Sequence, residues 1–226
     1  LQQKFGIPAV SLINDFYGIA LGVPLLSDAD LLVLHPAPRE RLAPIAILGA
    51  GTGLGEANVT FQGERWAVVP GEGGHADFAP QDEEQARLFL WLRKKYGGHV
   101  SWERLLSGMG LENIYEFLAG RLESPARIAE LAAAGEVAAI RTFHIFVDIY
   151  GAEAGNMALR MLARGGVFLA GGIAAKNIRF FTDGRFVEAF RRKGRFHDFM
   201  TTVPVYLIAN EEVGLLGAVE QAWRSL

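Results

Sequence analysis

Cysteine is missing altogether from the 226 residues. Its absence excludes disulfides and thiolate metal sites, and it fits a reducing, cytoplasmic setting. No apolar stretch reaches the roughly 18 residues needed to cross a bilayer. The opening residues, LQQKFG, lack the charged, apolar and small-residue order of a signal peptide. Dense basic runs are also missing, and a formal net charge of −3 gives no electrostatic case for a nucleic-acid partner. Internal repeats and low-complexity segments are absent. What remains is half apolar and 21% charged, the composition of a globular chain. Its length suits one large domain or two smaller ones.

Glycine is plentiful, and it concentrates between Ala46 and Ala79. Ile45–Leu48 is an apolar strand, followed by Gly49-Ala50-Gly51-Thr52-Gly53-Leu54-Gly55. A dinucleotide-binding fingerprint would need a helix next, so that the helix N-terminus meets the pyrophosphate. Instead Ala57, Val59 and Phe61 alternate, Gln62-Gly63 makes a turn, and Trp66, Val68 and Val69 resume a strand. The segment is a hairpin. Two readings of the glycine turn compete. One is a tight turn needing positive φ at one or two glycines. The other is an anion nest of unobstructed N–H groups, with the Thr52 hydroxyl as an added donor. Three alternating glycines plus Thr52 exceed the first need and favour phosphate. The next loop, Pro70-Gly71-Glu72-Gly73-Gly74-His75, carries an E-x-x-H. Its glycines argue against the helix that a di-iron site requires. A carboxylate and an imidazole on such a loop suit the hydroxyls of a polar ligand, with a plain solvated turn as the bland alternative.

The flanks read as alternating strands and helices. LQQKFG resembles a helix end closing on Gly6, and Pro8–Ile13 reads as a buried strand. Asn14-Asp15 then opens a helix: the bland reading is an N-cap, the functional one a carboxylate at the strand's carboxyl end, and both hold if Asn14 caps while Asp15 faces a cleft. Pro24–Pro44 reads as a connecting excursion and a lobe boundary. Helices follow from Asp82, then one or two over 100–119 with Glu103 in the first, another after Ser124-Pro125, and a long one over 136–164. Val167–Ala170 is a strand running into Gly171-Gly172, where backbone can approach a ligand closely. Val203–Ile208 is the last strand, and Val213–Trp223 the closing helix.

Together LINDF, GAGTGLG with PGEGGHADFAP, VSWERLLSG, FLAGGI and PVYLIANEEVGLLGA resemble the bacterial glucokinases of the non-ROK group, in the actin/hexokinase-like superfamily. The ROK sugar kinases carry a cysteine-rich zinc motif, which this chain cannot form. The resemblance implies an α/β, ribonuclease-H-like fold of two lobes. Residues 1–24 and 210–226 would belong to an incomplete small lobe, and 25–209 to a large lobe with a helical insertion. It implies phosphoryl transfer from ATP, with Mg²⁺, to glucose. Asp15 would be the general base. Asn14, Glu72, His75 and Glu103 would hold the sugar, Gly51, Thr52 and Gly53 the phosphates, and Gly171 and Gly172 the adenosine. The family is often dimeric. Its first phosphate loop, D-x-G-G-T, does not occur here. Together with Leu1 in place of Met, this predicts a fragment that is a poor catalyst alone. A non-catalytic sugar-binding relative and a kinase for another hexose are the alternatives.

Overall fold

A computed structural model describes residues 2–6 and 10–225. Six strands, β1 (Leu31–His35), β2 (Ile45–Ala50), β3 (Leu54–Gln62), β4 (Arg65–Gly71), β5 (Val167–Ala170) and β6 (Val205–Ile208), form one sheet ordered β1-β6-β5-β2-β3-β4. The β2–β3 and β3–β4 pairs are antiparallel, while β2–β5 and β5–β6 are parallel. So β2, β4, β5 and β6 all point the same way and end on one edge of the sheet. This mixed sheet, a meander continued by parallel crossovers, agrees with the ribonuclease-H-like expectation.

The helices are α1 (Gln2–Phe5), α2 (Asp15–Gly22), α3 (Glu83–Tyr96), α4 (Gly108–Ala119), α5 (Pro125–Ala133), α6 (Val137–Met161), α7 (Gly172–Lys176), α8 (Ile178–Phe181), α9 (Arg185–Arg191), α10 (His197–Thr201) and α11 (Val213–Trp223). Strand periodicity assigns them to two layers, because successive side chains leave opposite faces. Ala46 and Leu48 of β2 and Val167 and Leu169 of β5 join a core with Phe143, Phe146 and Tyr150 of α6. Ile45, Ile47, Phe168 and Ala170 turn the other way, onto Ala20 of α2 and Val213 of α11. Both strands are therefore buried throughout. Caps set the helix ends as their residues dictate: Asp82 accepts from Gln85 N–H, and Gly97 closes α3 at φ 75°. No helix of the described residues is long and apolar enough to cross a membrane.

Three sequence expectations need correction. Pro8 and Ala9 lie outside the described residues, but Val10–Ile13 forms no strand, and Leu12 is 87% exposed. Among the described residues no strand of the sheet pairs with this apolar run. The supposed excursion over 24–44 contains an edge strand, β1, paired antiparallel with β6. Flanking prolines hid it, because they mark a loop locally without preventing five residues between them from pairing. Glu103 sits on a single 3-10 turn, Trp102–Arg104, rather than in an α-helix.

Candidate functional site

The edge where β2, β4, β5 and β6 end carries the candidate site, the usual position for a ligand crevice in such sheets. Gly51-Thr52-Gly53 links β2 to β3, and Thr52 is exposed at its apex. Gly51 N–H donates to Gly53 O at 2.8 Å, and the first N–H of α4, from Gly108, donates to Gly51 O at 2.8 Å. None of the glycines at 49, 51, 53 and 55 has positive φ. Most are there for close approach instead. A Cβ at Gly49 or Gly55 would run into the Phe16 ring, and one at Gly53 into Glu103 Oε2, whereas Gly51 faces open space. The surplus of glycines thus seats Phe16 and Glu103, while Gly51, Thr52 and Gly53 still line the open cleft.

Glu103 is the hinge between this turn and the next loop. Its Oε2 accepts from Leu54 N–H at 2.9 Å, and its Oε1 stands 3.9 Å from His75 Nδ1. Only a quarter of its side chain is exposed, against 89% for Glu72, which lies 3.9 Å from His75 Nε2. Glu72 and His75 flank a 3-10 turn over Gly73–His75 that starts where β4 stops. Asn14 Oδ1 accepts from Phe16 N–H at 2.9 Å and Tyr17 N–H at 3.1 Å, which caps α2 and leaves its amide NH₂ to donate elsewhere. Asp15 Oδ1 accepts from Phe16 N–H at 2.8 Å. A cleft of about 650 Å³ is lined by Asn14, Asp15, Gly51–Gly53, Glu72 and Glu103.

A second cavity of about 520 Å³ opens on the other side of Asn14 and Asp15. Gly171, Gly172, Lys176 and Asn210 line it. Gly171 has φ 90°, and a Cβ there would strike the Ala50 backbone. So the junction after β5 must be glycine on both counts. Asn14, Asp15 and Gly171 border both cavities. The two spaces adjoin along these residues, with Asp15 among them.

The sequence reading missed three residues around this site. Tyr150, read as one of an apolar stripe on α6, is fully buried, and its hydroxyl accepts from Ala50 N–H at 3.0 Å. It also donates to Leu48 O at 3.3 Å. Thus α6 pins the end of β2 directly before the Gly51 turn, and burial raises the phenol's pKa. Glu56 and Glu153 were also missed. The alternation of Ala57, Val59 and Phe61 suggested that the intervening polar residues face water. Yet Glu56 is 6% exposed, and Glu153 is fully buried, where it accepts from Asn156 and Arg160 at 2.8 Å each. Glu153, a carboxylate among the apolar positions of α6, was an available signal, whereas Glu56, on the polar face of β3 with Asn58 and Thr60, gave none.

The glucokinase family model matches residues 1–224. A glucokinase from Yersinia enterocolitica is 42% identical over 225 residues, covering 96% of this chain and 69% of that protein. The crystal structure of a glucokinase from an Antarctic psychrotroph superposes with a TM-score of 0.91 at 32% identity, covering 99% of this chain and 71% of the other. A ROK-family glucokinase from Streptomyces griseus, in complex with glucose and AMPPNP, gives a TM-score of 0.68 at 19% identity over 99% of this chain and 70% of that one. At that identity the last likeness concerns the fold.

Proposed function

The chain belongs to the glucokinase family, and on that premise we propose that it transfers the γ-phosphoryl group of ATP to the 6-hydroxyl of glucose. The observation that carries this is that two cavities adjoin along residues that include Asp15. The larger, with Asn14, Glu72 and Glu103 on its walls and His75 beside the two glutamates, takes the sugar. Carboxylates and an amide in fixed positions accept from and donate to hydroxyls, and reject sugars that leave them unpaired. The smaller, against Gly171 and Gly172, takes the adenosine, and the phosphates reach toward Gly51, Thr52 and Gly53 from it. Asp15 Oδ1 is engaged by a backbone N–H, which leaves Oδ2 to receive the hydroxyl proton. As that proton leaves, the sugar oxygen bonds to the γ-phosphorus, the bond to the β-phosphate oxygen breaks, and ADP departs. Positioning and charge stabilisation supply most of such a transfer.

Among the described residues no three potential ligands gather into a metal-binding group. Mg²⁺ is commonly held by substrate phosphates and one or two carboxylates. The ion would neutralise phosphate charge, while Asp15 is kept for the hydroxyl proton. Two further parts belong to the same proposal. Residues 1–24 and 210–226 form part of a small lobe, and the protein works in the cytoplasm. Pairing with a second copy is supported by the exposed Leu215, Val219 and Trp223 of α11, spaced four apart. Sedimentation velocity tests it.

Replacing Asp15 by Asn, in a chain extended to the length of its curated relatives, tests the function. It should lower kcat by ~10²–10⁴-fold, the usual worth of a general base, while calorimetry finds glucose bound nearly as before. Turnover close to the parent's would remove Asp15 from its role. Glucose bound without phosphorylation in the parent would mark a sugar-binding relative, and faster turnover of another hexose in a substrate panel would change the substrate.

A further inference from the structure

Beneath the Glu72–His75 loop lies a carboxyl group that neither the sugar nor the nucleotide reading uses. Glu56 leaves β3 on the face that carries Leu54 and Asn58, toward α6, and pairs in register with Gly71, the last residue of β4. Its side chain reaches up under the loop, where a Cβ at Gly73 would overlap Glu56 Oε2. Its other oxygen, Oε1, is buried with no hydrogen-bond partner, as is Asn58 Oδ1 beside it. Glu56 borders both the sugar cleft and a small cavity of about 130 Å³ shared with Asn58, Gly73, Met157 and Arg160.

We propose that Glu56 is a positioning residue for glucose: its uncharged carboxyl lets the Gly71–His75 loop settle, and its ionisation lifts that loop and weakens sugar binding. The inference rests on the reading of Glu72 and His75 as sugar ligands. Its physical basis is that a buried carboxylate with an orphaned oxygen must find water or a cation. The groups around it offer little help. Glu153 of α6 repels it and Arg160 attracts it, but Arg160 is already bonded to Glu153. Lys193 lies behind Glu153, bonded to Ala152 O and Asn156 Oδ1. Glu72 and His75 stand on the loop itself, with Asp15 and Glu103 around the cleft. Gly73 is the soft side of this cage, because it presents no side chain. Burial, then Glu153, push the Glu56 carboxyl up to about 7, so both forms occur near neutrality.

Glucose titrations by calorimetry from pH 6 to pH 8 test this, on the parent and on Glu56→Gln and Glu153→Gln. If only the uncharged form seats the loop, the parent's Kd should rise roughly tenfold at pH 8, one unit above the midpoint. Glu56→Gln should keep the pH 6 affinity throughout, and Glu153→Gln should move the midpoint down. The sugar-contacting residues are common to all three proteins, so their profiles compare directly. Superimposable profiles for parent and Glu56→Gln, with glucose bound, would overturn the role of Glu56 and leave the sugar site standing. No glucose binding by the parent at any pH would overturn the sugar site, and this inference with it.

Discussion

A single hydroxyl, that of Tyr150, ties α6 to the end of β2 just before the Gly51 turn. Tyr150 satisfies Ala50 N–H in a place where no water-exposed alternative exists. Tyr150→Phe should therefore cost about 1–3 kcal/mol in denaturant unfolding, the usual penalty for orphaning a buried donor. Glu56 has the opposite effect on stability as pH rises. Its folded pKa, about 7, lies above the ordinary 4.5. Below about 4.5 both folded and unfolded chains hold the proton, and the group is neutral to stability. Between 4.5 and 7 the unfolded chain loses its proton first, so stability falls as pH rises. Above 7 the loss is complete, on the order of 3 kcal/mol. Glu56→Gln should thus stabilise the protein at pH 8 and change little at pH 4, as read from urea midpoints at the two pH values.

At the scale of elements, the β2–β3 hairpin and α2 form one unit. Phe16 at the start of α2 lies over Gly49 and Gly55, which face each other across the β2–β3 pair. Gly55→Ala would force the ring, and with it Asn14 and Asp15, away from the cleft. The expected outcome is a loss of about 1–3 kcal/mol from overpacking, accompanied by weaker glucose binding in calorimetry. An unchanged affinity would show that α2 tolerates the shift. The hairpin, the glycine turn and the caps at Asn14, Asp82 and Ser124 could be read from sequence because each is set by neighbours a few residues apart. The packing of Phe16 on two glycines more than thirty residues away along the chain could not. Glycines that look like a phosphate signature locally are here also the floor for an aromatic ring. The two demands cannot be separated until the strands pair.

For the molecule as a whole, β2 is the shared wall of both cores. Ile47 faces α2 and α11, while Leu48 faces α6, and both are fully buried. Ile47→Ala and Leu48→Ala should each cost about 2–5 kcal/mol. Because the strand belongs to both layers, either change should shift one common unfolding transition, the same by fluorescence and circular dichroism. Two separate transitions would mean that the α2–α11 layer melts independently of the helices on the opposite face.

Residue order alone was enough for the family, for the α/β alternation, and for Asn14, Asp15, Glu72, His75 and the glycine turn as candidates. These signals are local: a cap, a hairpin period, a loop composition. The folded chain decided which of them share a space. It put the ends of β2, β4, β5 and β6 on one edge and set two cavities side by side along residues that include Asp15. It also made LLVLH an edge strand and left Leu12 outside. Above all it buried Glu56. A polar residue alternating with apolar ones reads as solvent-facing until a second layer arrives, and here that layer is α6, whose Glu153 lies nearly a hundred residues further along the chain.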